Sequence, residues 1–115
     1  MGKKRGAEAG ALTPAVFHIL LALWEAPLHG YAVMQAVEES SGQKMGPGTV
    51  YGSIQRIEEA GLVREVKSPQ SPAQRRRCFG LTDHGRQALQ SEARRLARLG
   101  ELVRSRKLVP SKGES

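Results

Sequence analysis

A mainly helical α+β fold is predicted, with three short helices, a two-stranded hairpin and one long closing helix in that order. Three observations predict it. Apolar residues recur at helical spacing in four segments divided by Pro and Gly. Two short strand-like segments, at residues 62–67 and 75–81, flank a stretch containing Pro69 and Pro72. Positive charge is concentrated after residue 60 rather than spread evenly. A chain of 115 residues allows a single domain with one modest core.

Residues 1–11 are small and charged with several glycines, and are expected to form a disordered basic arm. Thr13-Pro14 suits a helix start, with Thr as N-cap and Pro in the first helical position. Leu12, Val16, Ile19, Leu20 and Leu23 follow on one stripe, with Phe17, Leu21 and Trp24 on a second, and Pro27 ends the segment. Two stripes demand more covering neighbours than a surface helix has. The second helix begins near Gly30 and carries Val33, Met34 and Val37 inward, stopping at Ser40-Ser41-Gly42. The third begins at Gly46-Pro47, buries Val50, Ile54 and Ile57, and ends at Gly61, a good C′ residue before apolar Leu62.

The two runs after it read as strands, because Pro69 and Pro72 forbid a helix between them and suit an exposed hairpin tip. Gly80 is expected to loosen the second strand. Thr82-Asp83 starts the last helix, which runs to about Leu108 with Leu89, Ala93, Leu96, Leu99 and Val103 on its stripe. This order is the winged helix-turn-helix arrangement. Residues 12–82 are expected to form the winged unit, 83–108 a dimerisation helix and 109–115 a disordered tail.

The net charge of +7 is high for this size. By segment it is +2 over 1–12, −3 over 13–60, +4 over 61–81, +4 over 82–108 and zero beyond. A basic surface steers polyanions, so nucleic acid leads as partner and an anionic membrane surface follows. One cysteine, Cys78, excludes an intrachain disulfide and reads as inert packing. His18, His29 and His84 lack close ligand spacing, so no metal or cofactor is expected. No apolar run spans a bilayer and no signal-type stretch follows Lys3, Lys4 and Arg5, which predicts a cytoplasmic protein. An enzyme is disfavoured too. Asp83 is the single aspartate and sits at a helix start, while Glu38-Glu39 and Glu58-Glu59 are adjacent pairs whose side chains diverge on a helix.

The third helix has the character of a recognition helix, which enters the roughly 12 Å wide major groove with its N-terminal residues leading. Gly48 and Gly52 remove side chains where backbone must approach phosphate; the alternative is that they are turn and packing residues. Thr49 and Ser53 can bond phosphate or base edges, and Gln55 and Arg56 have the reach to read bases. Lys67, Arg75, Arg76 and Arg77 belong to the hairpin. Alternation turns Arg76 away from Arg75 and Arg77, so two of the three arginines are expected on phosphates.

Five segments resemble signatures of the PadR family, in order and spacing. They are Leu12-Thr13-Pro14, His29-Gly30-Tyr31, Gly46-Pro47-Gly48-Thr49-Val50-Tyr51, Glu59-Ala60-Gly61-Leu62-Val63 and Leu81-Thr82-Asp83-His84-Gly85-Arg86. The resemblance covers about residues 12–86 and implies a winged-helix DNA-binding domain with a C-terminal dimerisation helix, generally a repressor. It makes Tyr31 and Tyr51 candidates for contact with DNA phosphates, with a core role as the alternative for Tyr51. Cys78 and Gly80 depart from the family pattern. With one helix after the hairpin, a large effector domain of the kind some members carry is not expected.

A dimer explains the second stripe of the first helix. Phe17, Leu21 and Trp24 would pack on the last-helix stripe of a second subunit, Leu89, Ala93, Leu96, Leu99 and Val103. Two recognition helices about 34 Å apart match one duplex turn, which suits an inverted-repeat operator. The family resemblance also implies a small aromatic effector near this interface, with Phe17 and Trp24 as lining; dimer core alone is the other reading. A winged-helix module binding RNA or a protein partner is the alternative function.

Overall fold

The computed structural model describes residues 12–67 and 77–110. The basic arm, the hairpin tip with Arg75 and Arg76, and residues 111–115 lie outside them. Four helices and a small sheet follow one another as α1 (Pro14–Ala22), β1 (Leu28–His29), α2 (Gly30–Ser41), α3 (Pro47–Glu59), β2 (Val63–Val66), β3 (Cys78–Leu81) and α4 (Asp83–Ser105).

The helix starts follow local chemistry. The Thr13 hydroxyl accepts from the Val16 N–H at 3.2 Å, and Pro14 occupies the first turn. The Thr82 hydroxyl accepts from the Gly85 N–H at 3.0 Å at the head of α4. Gly46 caps α3 without a side-chain bond and Pro47 follows it. At the end of α3, Gly61 adopts φ +82°, its N–H reaches the Glu58 carbonyl at 3.0 Å, and Leu62 N–H reaches Ile57 at 2.9 Å. These are the paired bonds of a Schellman stop. The same pair of bonds closes α4, where Lys107 takes the left-handed conformation at φ 58°.

Helix ends and the sheet differ from the sequence reading. α1 stops at Ala22, ahead of Pro27, because residues 23–27 carry the chain across to a strand. α4 stops at Ser105, three residues before Leu108. The expected two-stranded wing is a three-stranded antiparallel sheet in the order β1-β3-β2. In it Leu28 pairs with Phe79 and His29 with Cys78. A two-residue strand has no periodicity to detect; it exists because β3 offers a free edge. β3 is also regular at Gly80, which pairs with Arg64 and lies under the Pro27 ring. A Cβ there would meet the Pro27 side chain at 3.4 Å, and the β2–β3 pairing runs unbroken through Gly80.

The core is one cluster: Ile19, Leu20, Leu23, Val33, Val37, Val50, Ile54, Ile57, Leu62, Val63, Phe79 and Leu89. Every helix and the β2–β3 pair contribute to it, and α1 packs on all three other helices. Cys78 is buried and unpaired beside it. Buried Glu92 on α4 receives two bonds from the Arg95 guanidinium, at 3.1 and 2.5 Å. Arg95, aided by a backbone N–H bond from Leu12, holds this carboxyl below its ordinary value against the opposing effect of burial.

Candidate nucleic-acid interface

The outward face of α3 is set by the same 3.6-residue period that buries Val50, Ile54 and Ile57. Gly48, Thr49, Gln55 and Arg56 are exposed on it, and Gly52 is half-buried. The two glycines are not demanded by the chain's own packing. A Cβ on Gly48 would meet nothing within 4 Å, and one on Gly52 would meet only an Arg56 nitrogen at 4.0 Å. Neither has a positive φ. The fold would accommodate a methyl group at either position.

Replacing Gly52 with alanine should raise stability by about 0.5–1 kcal/mol, since glycine is costly inside a helix. The same substitution should weaken duplex binding if backbone approaches DNA there. Denaturant melts alongside DNA titrations check both signs; a variant that is stabilised and binds unchanged would leave Gly52 without a binding role.

Ser53 corrects the sequence reading. It is 2% exposed and its hydroxyl accepts from Arg56 Nη2 at 3.1 Å, so it does not belong to the DNA-facing set. That position lies between the buried Val50 and Ile57 on the helix, and serine is small enough to be enclosed there. Arg56 is exposed but folded back along α3 toward Gly52 and Ser53.

Tyr51 and Tyr31 are exposed, at 43% and 54%. The Tyr51 ring crosses directly over Gly30. A Cβ at Gly30 would lie 2.2 Å from the tyrosine oxygen and 2.4 Å from two ring carbons. Gly30 thus makes room for the ring, a role the sequence showed only as part of a helix start. The His29 ring accepts from Ala32 N–H at 3.3 Å and caps α2. Around these groups lie two shallow clefts. One, of about 440 Å³, is lined by His29, Gly30, Tyr31, Tyr51 and Arg77. The other, of about 500 Å³, runs between α3 and β3 past Gly48, Gly52, Gln55, Glu58 and Arg77.

Arg77 is therefore placed between wing and α3, with Lys67 exposed on the opposite side of the hairpin gap. It is not unpaired. Its Nη2 donates to Glu65 Oε1 at 3.1 Å, and the guanidinium lies 5.2 Å from the Phe79 ring centroid. The bond and charge of Glu65 raise its pKa from the ordinary arginine value.

The expected dimer stripe divides in two. Leu89 is 3% exposed inside the chain's own core, so it is corrected from interface to core. Beyond it, Ala93, Leu96 and Leu99 are exposed and Val103 is half-buried, with Leu102 exposed beside them. On α1, Leu21 is exposed and Phe17 is half-buried against the core, as is Trp24 just beyond the helix end. Trp24 carries the Arg86 guanidinium 5.0 Å from its ring centroid, and Phe17 meets His18 edge-on. Among the described residues no three His, Cys, Asp or Glu side chains are grouped to hold a metal, and no helix is long and apolar enough to cross a membrane.

Comparison with known proteins agrees with this geometry. The family model described as the transcriptional regulator PadR-like family matches residues 19–91. An uncharacterised 37.1 kDa protein of transposon Tn4556 from Streptomyces fradiae is 46% identical over 85 residues, 74% of this chain and 24% of that protein. The chain thus spans about a quarter of that curated relative's length. A PadR family transcription regulator from Clostridium difficile superposes with a TM-score of 0.70 at 23% identity, covering 79% of this chain and 95% of that one. Bacillus subtilis PadR, solved in complex with operator DNA, gives 0.57 at 22% identity over 66% of this chain and 44% of its own. A PadR-like regulator from Bacillus cereus gives 0.71 at 17% identity, covering 86% and 92%. At these identities the three structures share the fold.

Proposed function

Because the chain belongs to the PadR-like family, whose members are transcriptional regulators and not enzymes, we propose that it is a cytoplasmic, sequence-specific DNA-binding repressor acting as a homodimer on an inverted repeat. The observation that carries this reading is the uncovered face of α3, where Gly48 and Gly52 leave open space that the fold itself does not use. Bacillus subtilis PadR in complex with operator DNA supplies the mode by analogy.

In this reading α3 enters the major groove with Gly48 and Thr49 leading, and Gln55 and Arg56 read base edges. Arg56 leaves Ser53 to do so. The hydroxyls of Tyr31 and Tyr51, with Lys67 and two of the three wing arginines Arg75, Arg76 and Arg77, take phosphates on either side. Phosphate contacts fix register while base contacts specify sequence. The exposed Leu96, Leu99 and Leu102 of α4, together with Phe17 and Leu21 of α1 and Trp24 after it, bury one another across the dimer. A small aromatic effector seated against Phe17 and Trp24 would act on that interface and so on the spacing of the two α3 helices.

Selection of bound duplexes from a random pool tests the function. The expected product is an inverted repeat with half-sites about 10 base pairs apart. Salt-sensitive binding without any recovered motif would overturn sequence specificity, and no binding to duplex at all would favour an RNA or protein partner.

A further inference from the structure

Glu65 and Arg77 lie on the one face of the hairpin that turns toward α3. Val63, Glu65, Phe79 and Leu81 share that face, since Val63 pairs with Leu81 and Glu65 with Phe79. Val63 and Phe79 are buried in the core. Arg77, two residues before Phe79, extends the same face past the edge of the core, where both clefts beside α3 meet. Its guanidinium is already engaged there, by the Glu65 carboxylate at 3.1 Å and the Phe79 ring at 5.2 Å. Glu58 supplies a second carboxylate to the larger cleft. A phosphate reaching Arg77 must therefore displace a carboxylate that makes the same kind of charge-assisted contact.

We propose that Glu65 is an internal competitor for DNA phosphate, holding Arg77 in the free protein and thereby lowering the strength and salt dependence of duplex binding whatever the sequence. This rests on the DNA-binding reading above. The pair suits an exchange of partners because both members are accessible, with side chains 60% and 45% exposed. Exposed pairs of this kind are weak, so phosphate can replace the carboxylate at small cost. Once Arg77 turns to DNA, Glu65 stands uncompensated beside a polyanion and opposes the complex a second time. The wing thus carries one cation that contributes less to binding than its charge would allow.

The test uses the full chain and a mixed-sequence duplex, so it needs no operator. Binding is titrated across a salt series for the parent, Glu65→Gln, Arg77→Gln, the double variant and Glu101→Gln. Glu101 is a matched control, in an exposed pair with Arg104 at 3.0 Å on α4. Glu65→Gln is expected to tighten binding about two- to fivefold at moderate salt. It should also steepen the dependence of log K on log salt by about 0.9, the equivalent of one added phosphate contact. Glu101→Gln should leave the slope unchanged, and Glu65→Gln should not steepen it when Arg77 is already glutamine. Equal affinity and slope in Glu65→Gln and the parent would overturn the competitor alone. The same gain in the Arg77→Gln background would overturn it too, by reducing the effect to net charge. A parent that binds no duplex would instead remove the DNA-binding reading, and the competitor with it.

Discussion

Replacing Leu99 with glutamate is expected to give a folded monomer whose operator affinity falls by about 100- to 10,000-fold, the gain normally supplied by tethering two binding units. Leu99 is 42% exposed and stands outside the core cluster, so the substitution leaves the core packing intact. Its neighbours Leu96 and Leu102 are 39% and 48% exposed, which leaves a row of large apolar side chains uncovered on the second half of α4. Across a two-fold axis the same row would face itself or α1 of the second subunit. A glutamate there must be desolvated against leucine, a far larger penalty than any contact it could gain. Sedimentation velocity reads the assembly state and circular dichroism the fold. A dimer of unchanged stability in the variant would remove this face of α4 from the interface.

Gly85→Ala is expected to destabilise the protein by about 3 kcal/mol, the upper part of the range for overpacking a close contact. The added Cβ would lie 2.0 Å from the Leu62 carbonyl oxygen and 2.9 Å from its carbon. These are backbone atoms held from several sides. The Leu62 carbonyl accepts the Thr82 N–H at 3.0 Å, and the Thr82 hydroxyl donates to the Gly61 carbonyl at 2.6 Å. Relief would require α4 to move away from the start of β2, undoing the burial of Leu89. A loss of this size is a large fraction of the roughly 5–15 kcal/mol that keeps a domain folded. Gly80→Ala is the internal comparison, because its Cβ would meet Pro27 and Val66 side chains at 3.4 Å or more. Urea denaturation of both variants decides the matter: equal, small losses would show that α4 can shift freely.

Gly30 and Gly85 show why part of the site was hidden from the sequence. Each stands in a short segment that reads as a helix start, and local chemistry accounts for that much. What makes each position intolerant of a side chain is an atom far along the chain, the Tyr51 ring in one case and the Leu62 carbonyl in the other. Glu65 is a similar case. As a lone glutamate in a basic hairpin it looks like a solvated surface residue, and its link to Arg77 follows only from the pairing register of β2 and β3. Ser53 shares the composition of its exposed neighbours, yet it is buried on the inward side of α3.

The sequence by itself determined the four helices, their starts, the stop of α3 at Gly61, the two strands of the hairpin and the basic bias of the chain's second half. These depend on interactions within a few residues: the Thr13 and Thr82 caps, prolines that exclude helix, Gly61 in a left-handed turn, and apolar periodicity. The tertiary structure alone decided where one apolar stripe of α4 changes from core to open surface. Leu89 and Leu96 are the same residue type on the same face two turns apart. Leu89 belongs to the core cluster whereas Leu96 is exposed, and burial depends on the neighbour rather than on the leucine. The third strand, the Gly30–Tyr51 contact and the Glu65–Arg77 pair arise in the same way, from distances between elements that no local pattern encodes.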